Sequence, residues 1–420
     1  MTAIRTYLEE HKDEMIGLLG ELVAVPSVQG EAAKDTPFGE APANALRLIL
    51  ESCERFGFAV DNVENYAGSA DINDLESALG ILTHLDVVPT GTGWSSDPFV
   101  LTRCGNKLVG RGTIDDKGPA VAAVFAARAV RELGIPLKKG VRLIFGTNEE
   151  NGSADLAYYR TKRKLPPMVF TPDGEYPVIN GEKGMLRVYF STMLDDDVEI
   201  SAGEVINAVP ASCVVKIGGE TTVYRGKSAH ASTPWQGENA ITKFLSQYSG
   251  NSQVVKSIQQ CFQHGDVEGK AIFGDNSANF TCVLSMLNTV ENSLRGGIDI
   301  RYPLDRSKAE VSRIICGKLQ SAGFSIDTCE GSEPHYTDEN SEFVQKLLKV
   351  YERVSGEKGS CITIGGGTYV HEIDGGVAFG AEYPDGSGNM HGADEYITEE
   401  SLLKNAEIMA EAILELCSAY

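Results

Sequence analysis

Apolar positions near the start of the chain fall at helical spacing. Ile4, Leu8, Met15, Leu18, Leu19 and Leu22 recur on one face and Pro26 ends the run, which predicts an amphipathic helix. Residues 42–56 predict a second. Residues 79–83 are a short apolar run that ends at His84 and reads as a buried strand, followed by a Gly/Pro/Ser-rich loop over 89–98. Residues 119–133 (PAVAAVFAARAVREL) are strongly helical, with Pro119 suited to the first turn and Gly134 just past the last apolar position. Residues 141–147 and 168–171 read as strands, and a Pro-Asp-Gly turn follows the second. Strands that alternate with helices imply a largely parallel sheet.

The texture changes after residue 180. Residues 186–193, 221–225, 280–287 and 297–302 alternate in the manner of strands with one wet face, and helices are expected near 239–262 and 305–320. From Ser341 the earlier helix-and-strand pattern returns, and Thr398 with Glu399 and Glu400 opens a final helix. The expected architecture is α/β: one mostly parallel sheet flanked by helices and built from residues 1–179 and 336–420, with an α+β domain inserted at 180–335.

Charge narrows the function classes. Lys and Arg number 37 against 59 Asp and Glu, a net charge of −22. A surface that acidic repels nucleic acid and anionic membranes, so small-molecule partners are expected. The nine cysteines are scattered without a CxxC pair, which fits reduced thiols in the cytoplasm. The charged N-terminus is no signal peptide, and no stretch reaches the ~20 apolar residues of a membrane span.

Candidate chemistry sits in short polar segments, most of them just after expected strands, where open α/β sheets form their sites. In Thr83-His84-Leu85-Asp86, Asp86 is spaced to orient a metal-bound His84. Asp115, in Gly112-Thr113-Ile114-Asp115-Asp116, stands at a helix start and has two oxygens with which to bridge cations. Glu149 and Glu150 are adjacent, so one can ligate while the other acts as base. Asp173 and His391 complete the set. Taken singly, each segment reads as well as or better than a site when taken as a loop, cap or turn. Together, two His and three carboxylates form a mixed N/O donor set suited to zinc, or to manganese or cobalt.

The stretches THLDVVPTGTGW, GRGTIDDKGP, IFGTNEENG, TPDGEYPV, GKSAHASTPWQGENA, GGIDIRYP, GGGTYVHEIDGGVAFG and HGADEYI span nearly the whole chain. In that order they resemble the dinuclear-zinc metallopeptidases of clan MH, a family that includes aminoacylase, carnosinase and succinyl-diaminopimelate desuccinylase. DDKGP with TPDGEYPV most resembles the bacterial dipeptidases of PepV and Sapep type. The resemblance implies a di-metal catalytic domain at 1–179 and 336–420 and a lid domain at 180–335. It implies that His84 and Asp173 hold one metal ion, Glu150 and His391 the other, and that Asp115 bridges them. Asp86 would orient His84, and Glu149 would be the general base toward a metal-bridging water. His230 would stabilise the oxyanion, and Asn207, Arg301, Gly367 and Thr368 would hold substrate. The expected activity is hydrolysis of small unblocked dipeptides by a monomer, with a homodimer as the alternative. The alternative functions are an N-acyl-amino-acid deacylase and a metal-free binding protein. One departure is GGTYVH, where the dipeptidases often read GGTYAR or GGTYGR, so His371 replaces a permanent cation.

Overall fold

The computed structural model describes residues 2–194, 198–384 and 388–418. The chain forms two compact units. The first comprises Met1–Asn180, Tyr336–Ile362 and Thr368–Tyr420, and the second Gly181–His335 and Thr363–Gly367.

The first unit is built on a mixed sheet. Six of its nine strands lie in the order Ala59–Val63, Ala67–Asp71, Gly140–Gly146, Ser77–His84, Met168–Thr171, Val377–Ala378. The last four run parallel, and the first two form an antiparallel hairpin on the edge. The sheet is therefore less uniformly parallel than expected. The hairpin turns at Glu64 and Asn65, both with φ near +55° (54° and 57°), and its outer strand is mostly solvated, so it carries little apolar alternation to read.

The central strands are buried on both faces. Ile81, Leu143 and Phe145 enter the main core, while Leu82 and Ile144 enter a second cluster with Leu156, Tyr159 and Tyr369. Helix Lys117–Glu132 crosses the main core with Ala120, Ala122, Ala123, Ala126 and Ala127 fully buried. These small side chains let it lie close to helices Lys12–Val23 and Glu399–Cys417. The final helix is capped by Thr398, whose Oγ1 accepts from Ser401 N at 3.0 Å. The N-terminal helical run is broken in two, Ala3–Glu10 and Lys12–Val23, at the non-helical His11.

The second unit is a seven-stranded antiparallel sheet in the order Glu220–Arg225, Ser212–Ile217, Val198–Ala202, Thr281–Val290, Ser293–Tyr302, Gly184–Met193, Ser325–Ser332. Leu186, Val188 and Phe190 alternate into its core against helices Ala240–Gln247, Gln253–Cys261 and Lys308–Ser321. Where one helix is expected near 239–262 there are two, separated by the Tyr248–Ser252 turn. No described helix is long and apolar enough to cross a membrane.

Candidate metal centre

Four of the clustered side chains stand at or just beyond the carboxyl ends of three adjacent parallel strands. His84 ends its strand in register with Gly146, so Glu149 and Glu150 emerge beside it, and Asp173 follows Met168–Thr171 by two residues. Asp115 comes from the turn that opens helix Lys117–Glu132, and the Asp115–Asp116 peptide is cis. That turn requires Gly118: its N–H donates to Gly112 O at 3.2 Å, and a Cβ there would overlap Thr113 O. His391 sits on a loop with φ +60°, a left-handed conformation uncommon outside glycine.

The two oxygens of Asp115 face two different imidazoles. Asp115 Oδ1 is 2.9 Å from His84 Nε2, and Oδ2 is 2.8 Å from His391 Nε2. Glu150 Oε1 lies 3.2 Å from His391 Nε2, and Asp173 Oδ2 lies 3.8 Å from His84 Nε2. Two donor groups, His84–Glu149–Asp173 and His84–Asp115–Glu150, each have ligand atoms within 4.8 Å of one another. Glu149, the expected base, is thus itself one of the three donors of the first group.

The surrounding framework is charged and buried. Asp86 meets His84 through its backbone carbonyl, 3.0 Å from Nδ1, with its carboxylate at 3.5 Å. That carboxylate instead accepts the N–H groups of Glu149 and Glu150, both at 3.1 Å. Asp116 Oδ2 accepts from His84 N at 3.0 Å. Glu395 accepts from Ile114 N at 3.0 Å and Asp115 N at 3.3 Å, and pairs with the buried Arg111 at 2.5 Å. Arg111 in turn reaches the carbonyls of Pro89, Thr90 and His391. The sequence points to no role for Arg111 or Glu395, and to Asp116 only as one candidate partner, with Asp86 and Asp173, for a substrate's free amino group, although all three lie inside the quoted motifs.

Electrostatics make this a cation site in want of positive charge. Burial pushes Glu149 well above the usual carboxylate range, with the charge of Asp173 adding to it. Burial, then the charge of Asp115, lifts Glu150 to about 7, and burial also raises Asp173. Burial would lower His84 and His391, yet the carboxylates that face their imidazoles hold both up, His391 to about 11. Asp115 would likewise be raised by burial, but the two imidazoles hold it low. The buried His84 Nε2 and Glu150 Oε1 form no hydrogen bond. Carboxylates held back from ionising by burial and by one another, around two imidazoles, fit divalent cations bound through N and O.

The other candidates lie in the second unit, apart from Thr368. Ala231 N donates to Asn207 O at 2.9 Å, which sets Asn207 beside the exposed His230 segment. His230 Nδ1 is 2.6 Å from Ser232 Oγ. Gly365 packs on Ser232, and its carbonyl accepts from Arg301 Nη1 at 2.9 Å. Arg301 is buried and also pairs with Asp299 at 2.7 Å. Gly367 closes the same loop. In the first unit, Thr368 Oγ1 accepts from Val370 N at 3.4 Å, and His371 lies on the short helix Tyr369–Glu372.

Residues 80–415 match the model of peptidase family M20/M25/M40. The chain belongs to that family. As an M20 peptidase it is 31% identical to a Staphylococcus haemolyticus protein named "Putative dipeptidase", over 98% of each chain. Its fold matches human carnosine dipeptidase 1 with a TM-score of 0.67 at 17% identity, over 98% of each chain. It also matches a Bacillus subtilis protein described as a dinuclear metal binding peptidase from the M20 family. That TM-score is 0.58 at 13% identity, over 97% of this chain and 99% of the other.

Proposed function

We propose that this M20 peptidase is a metal-dependent dipeptidase acting on small unblocked dipeptides. The observation that carries the reading is Asp115, whose two oxygens face His84 and His391 at 2.9 and 2.8 Å. His84 and Asp173 would hold one cation, Glu150 and His391 the other, with Asp115 shared between them. Two imidazoles with carboxylates favour zinc, with manganese or cobalt as substitutes. When bound, the two cations polarise the scissile carbonyl and lower the pKa of a water toward neutrality.

The chain's own residues then handle the protons. Glu149 takes a proton from the attacking water as its oxygen bonds to the carbonyl carbon, and returns that proton to the leaving nitrogen as the C–N bond breaks. His230 donates a hydrogen bond to the carbonyl oxygen as it becomes an oxyanion. Asn207, Arg301, Gly367 and Thr368 are assigned to the substrate's carbonyl and terminal carboxylate. Arg301 reaches that role while tied to Asp299 and Gly365 O, so it would act partly by shaping the Gly365–Gly367 loop. The nine cysteines are all free thiols, which supports a cytoplasmic setting, and we assign the protein as a monomer.

Purified protein loaded with zinc, cobalt or manganese should hydrolyse Ala-Ala-type dipeptides and leave N-acetyl and N-succinyl amino acids intact. The reverse preference would make it a deacylase. Metal stoichiometry near zero with no hydrolysis would make it a binding protein. His391→Ala should lower bound metal, read by elemental analysis.

A further inference from the structure

The turn that presents Glu149 and Glu150 is held by two buried carboxylates, and Asp155 is one of them. Asp155 Oδ2 accepts the N–H of Thr147 at 2.6 Å and of Asn148 at 2.9 Å, and Oδ1 accepts from Leu156 N at 2.7 Å. Asp86 takes the next two amides, those of Glu149 and Glu150. Four consecutive N–H groups, Thr147 to Glu150, are thereby fixed by side-chain oxygens. Tyr369 Oη donates to the same Asp155 Oδ2. Both residues are fully buried, and the Tyr369 ring stands edge-on to His84, with centroids 6.2 Å apart at 80°. Gly146 leaves room for the arrangement, since a Cβ there would overlap both Tyr369 Oη and Asp155 Oδ2.

We propose that Asp155 and Tyr369 form a positioning pair for the base Glu149, an inference that rests on the dipeptidase reading above. Asp155 is one bond rotation from losing its grip on Thr147 and Asn148. The Tyr369 hydroxyl, delivered by a packed ring, locks that rotation. Neither side chain is among the clustered metal-ligand atoms. Their effect passes through the backbone to where the Glu149 carboxylate stands. Misplacement of a catalytic group by ~1 Å costs about 100-fold in rate, so a small release of this turn is felt in turnover.

The decisive variant is Tyr369→Phe, which keeps the ring and removes one donor. On an Ala-Ala-type dipeptide with zinc, kcat should fall by about 10- to 100-fold. KM should stay within about twofold and metal stoichiometry should match wild type; the Tm of the metal-free protein should drop slightly, because a buried carboxylate loses one donor, and stay well above the assay temperature. Asp155→Asn should lower kcat at least as much, and Tyr369→Phe added to it should cost nothing further, because the two act as a unit. If Asp155→Asn does not fold, Tyr369→Phe decides alone. A Tyr369→Phe enzyme with wild-type kcat overturns the proposal. So does a loss of rate that tracks metal content or comes with a Tm near the assay temperature, and so do additive losses in the double variant. Wild type and Glu149→Gln run alongside separate the two levels. An inactive wild type or a fully active Glu149→Gln sinks the dipeptidase reading itself, whereas a silent Tyr369→Phe beside an inactive Glu149→Gln sinks only the pair.

Discussion

In the first unit, His84, Asp115, Glu150 and Asp173 stand at strand and helix ends, and the backbone beneath the first three is tied to buried carboxylates, Asp86, Asp116, Asp155 and Glu395, while Asp173 N donates to Thr171 Oγ1. In the second unit, the Asn207 and His230 segments are joined by the Ala231 N to Asn207 O hydrogen bond, His230 meets the Ser232 hydroxyl, and Arg301 is anchored by the buried Asp299. The first arrangement resists displacement, because moving any of those three strips a hydrogen bond from a buried charge. The second leaves its histidine exposed and adaptable. A metal site needs the former, since ligands must converge on fixed points, while residues that meet a variable substrate tolerate the latter.

The sharpest test of that contrast is Glu149→Gln. It should lower kcat by about 10³-fold or more with metal content unchanged, because a general base is removed without touching a ligand pair. Parallel loss of metal would place Glu149 among the ligands and collapse the distinction. His230→Ala should cost about 10²–10³-fold in kcat, the size of a lost oxyanion donor, with Tm within error. A drop in Tm would show that the exposed loop is structural after all. Arg301→Ala should destabilise the second unit by about 3 kcal/mol, because Asp299 is wholly buried and would lose its nearer cation, leaving Arg187 at 3.9 Å. Unchanged unfolding in urea would mean that Asp299 is held by other groups. The smallest effect concerns thiols. Burial pushes Cys213 up to about 12 and raises Cys282, while Cys104 is exposed. Alkylation at neutral pH should label Cys104 first, as mass spectrometry would show, and equal labelling of Cys282 would reveal opening of the second unit.

Much of the α/β character could be read along the chain because the central strands and helices bury continuous or periodic apolar faces. Residues 168–171 and the Thr398 cap are cases where local chemistry alone sets an element. Edge strands such as Ala59–Val63 escaped, since an outer strand with solvated faces shows no period. Ser325–Ser332, at the edge of the second unit's sheet, escaped for the same reason. Among site residues, Asp155 carried no signal at all: an acidic residue in the first turn of a helix reads as favourable electrostatics with the helix dipole. Asp86 carried a partial one: its carbonyl is 3.0 Å and its carboxylate 3.5 Å from His84 Nδ1. Its spacing from His84 suggests a carboxylate on the imidazole, yet the strand ends at His84 and the carboxylate turns to the Glu149–Glu150 amides.

The sequence by itself determined the family, the donor types and the order of the motifs, because those depend on which residues are present and on short-range spacing. Only the tertiary structure decided that Asp115 divides its oxygens between His84 and His391, residues 307 positions apart in the chain. It also decided which buried carboxylates are scaffold. The reason is physical: a carboxylate is an acceptor wherever it stands, and whether it meets a backbone amide, a guanidinium or an imidazole depends on which strand ends the sheet brings side by side.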